Sequence, residues 1–158
     1  MTESKRPVVA AAIFDPACSE PTILCAQRAY PAALRGKWEL PGGKAEAGET
    51  FAEALVREIS EELSAQIELQ QAVLNPDTAD GAWPILQGRV MYVWLASLRT
   101  GSAAPQALAD HLQLRWCVAS EAAKLDWLAP NIPIMQKAFA LLAQQTQDLG
   151  GVNKHQRL

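Results

Sequence analysis

The chain has 158 residues, a formal net charge of −3 and 49% hydrophobic residues. That is one domain's worth of core, and it excludes an intrinsically disordered chain. The acidic balance argues against a broad nucleic-acid-binding surface. The longest apolar runs, such as residues 8–14, fall far short of the ~18 residues that span a bilayer, and the start of the chain lacks the apolar core of a signal peptide. The three cysteines, Cys18, Cys25 and Cys117, show no paired spacing, and neither His111 nor His155 lies near a cysteine pair. No zinc constellation is expected, and the cysteines read as reduced thiols in a cytoplasmic protein.

Residues 7–14 are apolar and rich in small side chains, which predicts a buried strand. Residues 22–28 follow across a turn and read as its hairpin partner. Residues 38–40 suggest a short strand that breaks at Pro41-Gly42-Gly43. Thr50 is a good helix N-cap, and Glu53 completes a capping box. Ala52, Leu55, Val56, Ile59 and Leu63 then recur at helical spacing, so a helix should run to Leu63 or Ser64 with this stripe on a sheet. Strands are expected at 66–74, 89–98 and 114–118, with loops at 75–84 and 100–110. A second helix is expected over 130–147, with Ile134, Ala138, Leu141 and Leu142 on one face. Residues 1–147 should form a single domain of the α+β class, helices packed on a mixed β-sheet, and 148–158 a flexible tail.

The acidic charge is concentrated. Eight of the 17 acids lie between Glu39 and Glu68. Glu58, Glu61 and Glu62 fall on one edge of the first helix, beside its buried face. Like charges at such spacings repel by roughly 0.2–0.5 kcal/mol per pair. Arg57 can offset part of this by pairing with Glu53 or Glu61, and Glu49 adds an acid just before the cap. A solvated helix face is one explanation of the cluster. The other is chemical: hard divalent cations such as Mg²⁺ take carboxylate oxygens together with substrate phosphates.

The wider spacing favours the chemical explanation. Gly43, Glu49, Arg57, Glu58, Glu61 and Glu62 resemble the signature of the Nudix hydrolase family at the family's own spacing. The run Gly36-Lys-Trp-Glu-Leu-Pro-Gly-Gly43, with Gln27-Arg28, Leu114-Arg-Trp116 and Leu128-Ala-Pro-Asn-Ile-Pro-Ile134, is similar to the MutT-type branch. The departures are Ser64, where the family usually has the glycine that ends the helix in a left-handed cap, and Ala65, where it has a larger apolar residue. Ser64 matches no ligand position, so activity is expected to survive.

The resemblance implies an α/β/α sandwich and cleavage of a nucleoside triphosphate to monophosphate and pyrophosphate, by a monomer or homodimer. It implies Mg²⁺ (or Mn²⁺) held by Glu58, Glu61, Glu62 and the Gly43 carbonyl. Glu58 would also be the base acting on water, and Arg57 would hold the glutamates in place. Gly42 and Gly43 are expected to take positive φ in a tight turn. Arg28 and Lys44 would contact phosphates, with surface cations as the alternative. Asp110 stands where the branch often has Glu, which leaves a metal ligand, an alternative base or a loop acid. His111 reads as a loop or packing residue. Asn131 matches an Asn that reads oxidised guanine, and it is also a natural helix N-cap. Trp83, Trp127 and Tyr92 could stack on a base or belong to the core. Relatives acting on CTP or dCTP resemble this chain but carry an acid at the Asn131 position. Hydrolysis of ADP-ribose-type compounds and a non-catalytic nucleotide-binding module are the remaining alternatives.

Overall fold

The computed structural model describes the backbone of residues 5–156 and the side chains of residues 5–147. In chain order the strands are β1 (Val8–Ile13), β2 (Thr22–Arg28), β3 (Trp38–Glu39) and β4 (Gly42–Lys44). Helix α1 (Phe51–Leu63) follows, then β5 (Ile67–Val73), β6 (Trp83–Pro84), β7 (Val90–Leu98) and β8 (His111–Val118). Two helices close the fold, the short α2 (Ala119–Ala122) and the long α3 (Asn131–Gln156).

The larger sheet is mixed and runs β4-β1-β7-β5, with β1 and β7 parallel and the other pairs antiparallel. Strand β6 continues the β5 edge of β7. The smaller sheet, β3-β2-β8, is antiparallel. The expected β1–β2 hairpin does not form. Strand β1 already has β4 on one edge and β7 on the other, so β2 joins the second sheet and meets the first only through the Phe14–Ile23 bridge.

Strand β1 is apolar throughout because both of its faces are covered. Val9, Ala11 and Ile13 pack with Leu55, Ile59 and Leu63 of α1. Ala10 and Ala12 point the other way, into a core with Ile134, Met135, Ala138 and Phe139 of α3. The result is an α/β/α sandwich, as expected. Each fully buried Leu or Ile in it contributes roughly 1.5–3 kcal/mol relative to exposure. The alanines keep the sheet face shallow enough for both helices to approach.

Helix α1 starts as the sequence predicts. Thr50 accepts from the Glu53 N–H, and the Glu53 carboxylate accepts from the Thr50 N–H. Its buried stripe is turned slightly, taking Ala54 in place of Ala52. The helix ends at Ser64, which takes the left-handed conformation itself, φ 54° and ψ 32°. The pairs β4 and β6, two or three residues each, lay in segments read as a breaker and a loop. Strand β8 begins at His111, three residues before the expected 114. Helix α3 continues to Gln156; the expected tail at 148–158 falls on this last stretch, whose side chains lie outside the described residues, and on residues 157–158, which lie outside them altogether. Among the described residues no helix is long and apolar enough to cross a membrane.

Candidate active site

The edge of α1 carrying the glutamates lies against β4. Gly42 is required for space and Gly43 leaves room for the Glu58 carboxylate where it stands, and neither has a positive φ. A Cβ on Gly42 would strike the Val9 carbonyl in the neighbouring strand, and a Cβ on Gly43 would strike the Glu58 carboxylate. The expected tight turn is therefore a strand, with one glycine admitting β1 and the other admitting Glu58.

Arg57 organises the acids. Its Nε donates to Glu49 Oε2 at 2.6 Å and its Nη2 to Glu49 Oε1 at 2.9 Å. Its Nη1 reaches Glu58 Oε1 and Glu61 Oε2, both at 3.1 Å, and Nη2 also donates to the Lys44 carbonyl at 3.2 Å. Of the two expected partners only Glu61 is engaged, because Glu53 is committed to the helix cap. The Glu49 and Glu58 bonds hold the guanidinium charge firmly and drive its pKa far up.

Glu58 and Glu62 line a cavity of about 410 Å³ together with Arg28, Glu39, Gly43, Lys44 and Asp110. Burial raises the Glu58 pKa, against the opposing pull of Arg57. Glu62 is pushed up to about 9, first by burial and then by the facing charges of Asp110 and Glu58. Asp110 accepts a 2.6 Å hydrogen bond from the Tyr30 hydroxyl, which raises the Tyr30 pKa. Glu61 stands further out, its side chain 59% exposed. A divalent cation would relieve the repulsion that Asp110 and Glu58 exert on Glu62, and the hard oxygens of these acids suit Mg²⁺. Among the described residues no three such groups are gathered around one point. Glu58 and Glu61 are both turned to Arg57.

Arg28 and Lys44 also line a second cavity of about 380 Å³, shared with Glu39, Met91 and Asn131. Asn131 does not cap its helix. It is the first helical residue, and its Oδ1 accepts from the Leu40 N–H at 3.0 Å, across the chain. Trp83 and Trp127 are core residues, their indole N–H groups donating to the Val73 and Ala122 carbonyls. Tyr92 stacks on Phe51 at 4.5 Å between centroids and donates to Asp80.

Glu39 and Tyr30 were given no role by the sequence reading, and His111 only a packing one. Glu39 accepts from Arg28 Nη1 at 2.8 Å and faces His111 Nε2 at 3.2 Å. The available signal was an acid alternating with buried Trp38 and Leu40 on a strand.

A sandwich that sets a carboxylate-bearing helix edge against a glycine strand, with cations facing it, defines a class of phosphorus-anhydride hydrolases. The chain belongs to that class by family: residues 4–139 match the NUDIX domain, and the protein is a Nudix hydrolase. It is 37% identical over 110 residues to the Mycobacterium tuberculosis protein named "Putative 8-oxo-dGTP diphosphatase 2", covering 68% of this chain and 72% of that one. It is 30% identical over 126 residues to the CTP pyrophosphohydrolase of Escherichia coli, covering 80% and 88%. The solution structure of the E. coli ORF135 protein superposes with a TM-score of 0.67 at 30% identity, over 88% of this chain and 91% of that one. A MutT structure from a study of the Aliivibrio salmonicida and Vibrio cholerae enzymes gives a TM-score of 0.62 at 26% identity, over 86% and 98%. Nudix hydrolases act on small nucleotide substrates and generally use divalent metal ions.

Proposed function

We propose that this chain is a Mg²⁺-dependent nucleoside triphosphate pyrophosphohydrolase, with an oxidised purine nucleotide such as 8-oxo-dGTP as substrate. One observation carries this reading. The two cavities share Val8, Arg28, Glu39, Lys44 and Met91, with Glu58, Glu62 and Asp110 in the first and Asn131 in the second. A nucleotide whose phosphates lie over the carboxylates reaches with its base toward Asn131. With Oδ1 engaged by Leu40, the Asn131 amide nitrogen keeps its donors for a purine edge. The name of the M. tuberculosis relative supports oxidised guanine.

Glu58, Glu61 and Glu62 would hold the ion, with the Gly43 carbonyl and Asp110 as further oxygen donors; Mn²⁺ suits the same donors. When bound, Mg²⁺ neutralises phosphate charge and acidifies water. Glu58 orients and deprotonates the attacking water, and its burial brings its basicity closer to what that step needs. Arg57 keeps Glu58 and Glu61 aimed. Arg28 and Lys44 neutralise the phosphoryl oxygens as the leaving pyrophosphate gains charge. No covalent nucleophile is required, and Cys25 and Cys117 are buried away from the cavity.

The test is product analysis by phosphorus NMR on ordinary nucleoside triphosphates, 8-oxo-dGTP and ADP-ribose, each with and without Mg²⁺. Monophosphate and pyrophosphate, formed fastest from 8-oxo-dGTP and only with metal, are the expected result. The name of the E. coli relative favours a second reading, CTP or dCTP, which fastest turnover of those nucleotides would select. Fastest cleavage of ADP-ribose, or no turnover at all, would overturn the proposal in favour of a diphosphate hydrolase or a binding module.

A further inference from the structure

Three adjacent strands of the smaller sheet each bring one polar side chain to the wall of the cavity. Arg28 ends β2, Glu39 lies on β3 and His111 opens β8. A register slip makes this possible. Gln27 pairs with Gln113, but Arg28 pairs with His111, so Leu112 is the extra residue of a bulge on β8. Without the slip Leu112 would stand opposite Arg28. With it, Leu112 is 41% exposed and His111 turns inward, its side chain 1% exposed.

Glu39 joins the other two. One oxygen accepts from Arg28 Nη1 and the other meets His111 Nε2. Arg28 Nε is fastened as well, donating to the Tyr30 carbonyl at 3.1 Å. Among the described residues Arg28 Nη2 has no hydrogen-bond partner. His111 Nδ1 is buried and unpartnered, and the ring's one hydrogen bond is to Glu39. With the proton on Nε2, the orphan is an acceptor lone pair, and the Nε2–H donates to Glu39.

We propose that Glu39, braced by His111, is a positioning residue that fixes the Arg28 guanidinium so that Nη2 meets a phosphate oxygen of the substrate. This rests on the reading that Arg28 binds phosphate. An Arg held at two nitrogens loses less side-chain freedom on binding than a free one, which favours affinity. On this reading the effect of Glu39 on phosphate binding runs through Arg28.

The experiment is a double-mutant cycle of Glu39→Ala and Arg28→Ala, read by calorimetric binding of inorganic pyrophosphate with Mg²⁺ and by KM and kcat for dGTP. Charge-assisted bonds of this kind correspond to roughly 10- to 100-fold. Glu39→Ala should weaken pyrophosphate binding by about tenfold or more in the wild type and by less than about threefold in Arg28→Ala. Glu39→Gln, which keeps an oxygen for Arg28 but loses the charge and sets an amide N–H against the His111 Nε2–H, should recover only part of the loss, and KM should move more than kcat. Equal losses in both backgrounds, no loss in the wild type, or a wild type that does not bind pyrophosphate would each overturn the proposal. Binding needs no turnover, so a chain that binds pyrophosphate with this pattern but cleaves no nucleotide would refute the proposed activity alone.

Discussion

Arg57 and Glu49 meet fork to fork, with two nitrogens of the guanidinium on two oxygens of the carboxylate at 2.6 and 2.9 Å. Glu49 also accepts from the Glu46 N–H, and these bonds pull its pKa down, so it stays ionised. The acid just before the cap thus anchors the arginine, and the arginine aims the acids that follow. Arg57→Ala should lower metal affinity and kcat/KM together by roughly 10- to 100-fold, the usual range for losing a residue that orients metal ligands. Arg57→Lys should recover little, because an ammonium cannot reproduce the planar fork. A Mn²⁺ titration beside steady-state kinetics checks this; unchanged Mn²⁺ affinity in Arg57→Ala would refute it.

What was legible in the sequence was what is local. The Thr50–Glu53 box, the apolar stripe of α1 and the Arg57–Glu62 run all sit within a few turns of one helix, where spacing fixes direction. The two-faced burial of β1 was also readable, from an unbroken apolar run. What was illegible depends on partners far away. Glu39 acquires its place from His111, 72 residues on, and only through a bulge that no periodicity announces. Asn131 looked like a cap because caps are local, yet its oxygen serves Leu40, 91 residues back. The β1–β2 hairpin failed for the same reason: a turn signal says where the chain reverses and not which edges are already taken.

Ser64 is the one departure from the family signature that the structure tests directly. It ends α1 at φ 54°, and its N–H still closes on the Ser60 carbonyl. A side chain in this region costs roughly 1 kcal/mol that glycine avoids, partly offset by glycine's greater freedom when unfolded. Ser64→Gly should therefore stabilise the protein by about 0.5–1 kcal/mol, or raise Tm by a few degrees. The kcat/KM should stay unchanged, because Ser64 lines neither cavity. Thermal unfolding beside kinetics decides it, and a lower Tm would show that the serine side chain contributes something glycine cannot.

Glu62 makes the metal-free protein sensitive to pH. Its carboxyl titrates near 4.5 when free and is raised to about 9 in the fold. Between those values the folded state binds more protons than the unfolded one, so this group lowers stability progressively as pH rises through the window. Glu58 is raised too and acts in the same direction. A divalent ion held by these carboxylates, as proposed, would replace the protons and reverse the trend. Tm without metal should fall across the window, Glu62→Gln should flatten part of that fall, and added Mg²⁺ should stabilise more at the alkaline end. A metal-free Tm that rises over the window would contradict the assignment.

Asn131 has one job in the fold and a second, separable one proposed for it. Its Oδ1 satisfies the Leu40 N–H in a position where Asn131 itself is only 3% exposed. Its amide nitrogen is the group proposed to meet the base. Asn131→Ala removes both, and the orphaned N–H should cost about 1–3 kcal/mol of stability. Asn131→Asp keeps an oxygen for Leu40 and deletes the amide donors. If the amide reads the base, Asn131→Asp should hold the Leu40 tether while the kcat/KM ratio of 8-oxo-dGTP to CTP falls. A hydrogen-bond donor lost from a site built around it changes selectivity more than a lost methylene does. If the residue is only a tether, Asn131→Ala should lower Tm and leave that ratio untouched. Measuring the ratio and the Tm for both variants separates the two, because the tether moves Tm alone and the base contact moves the ratio.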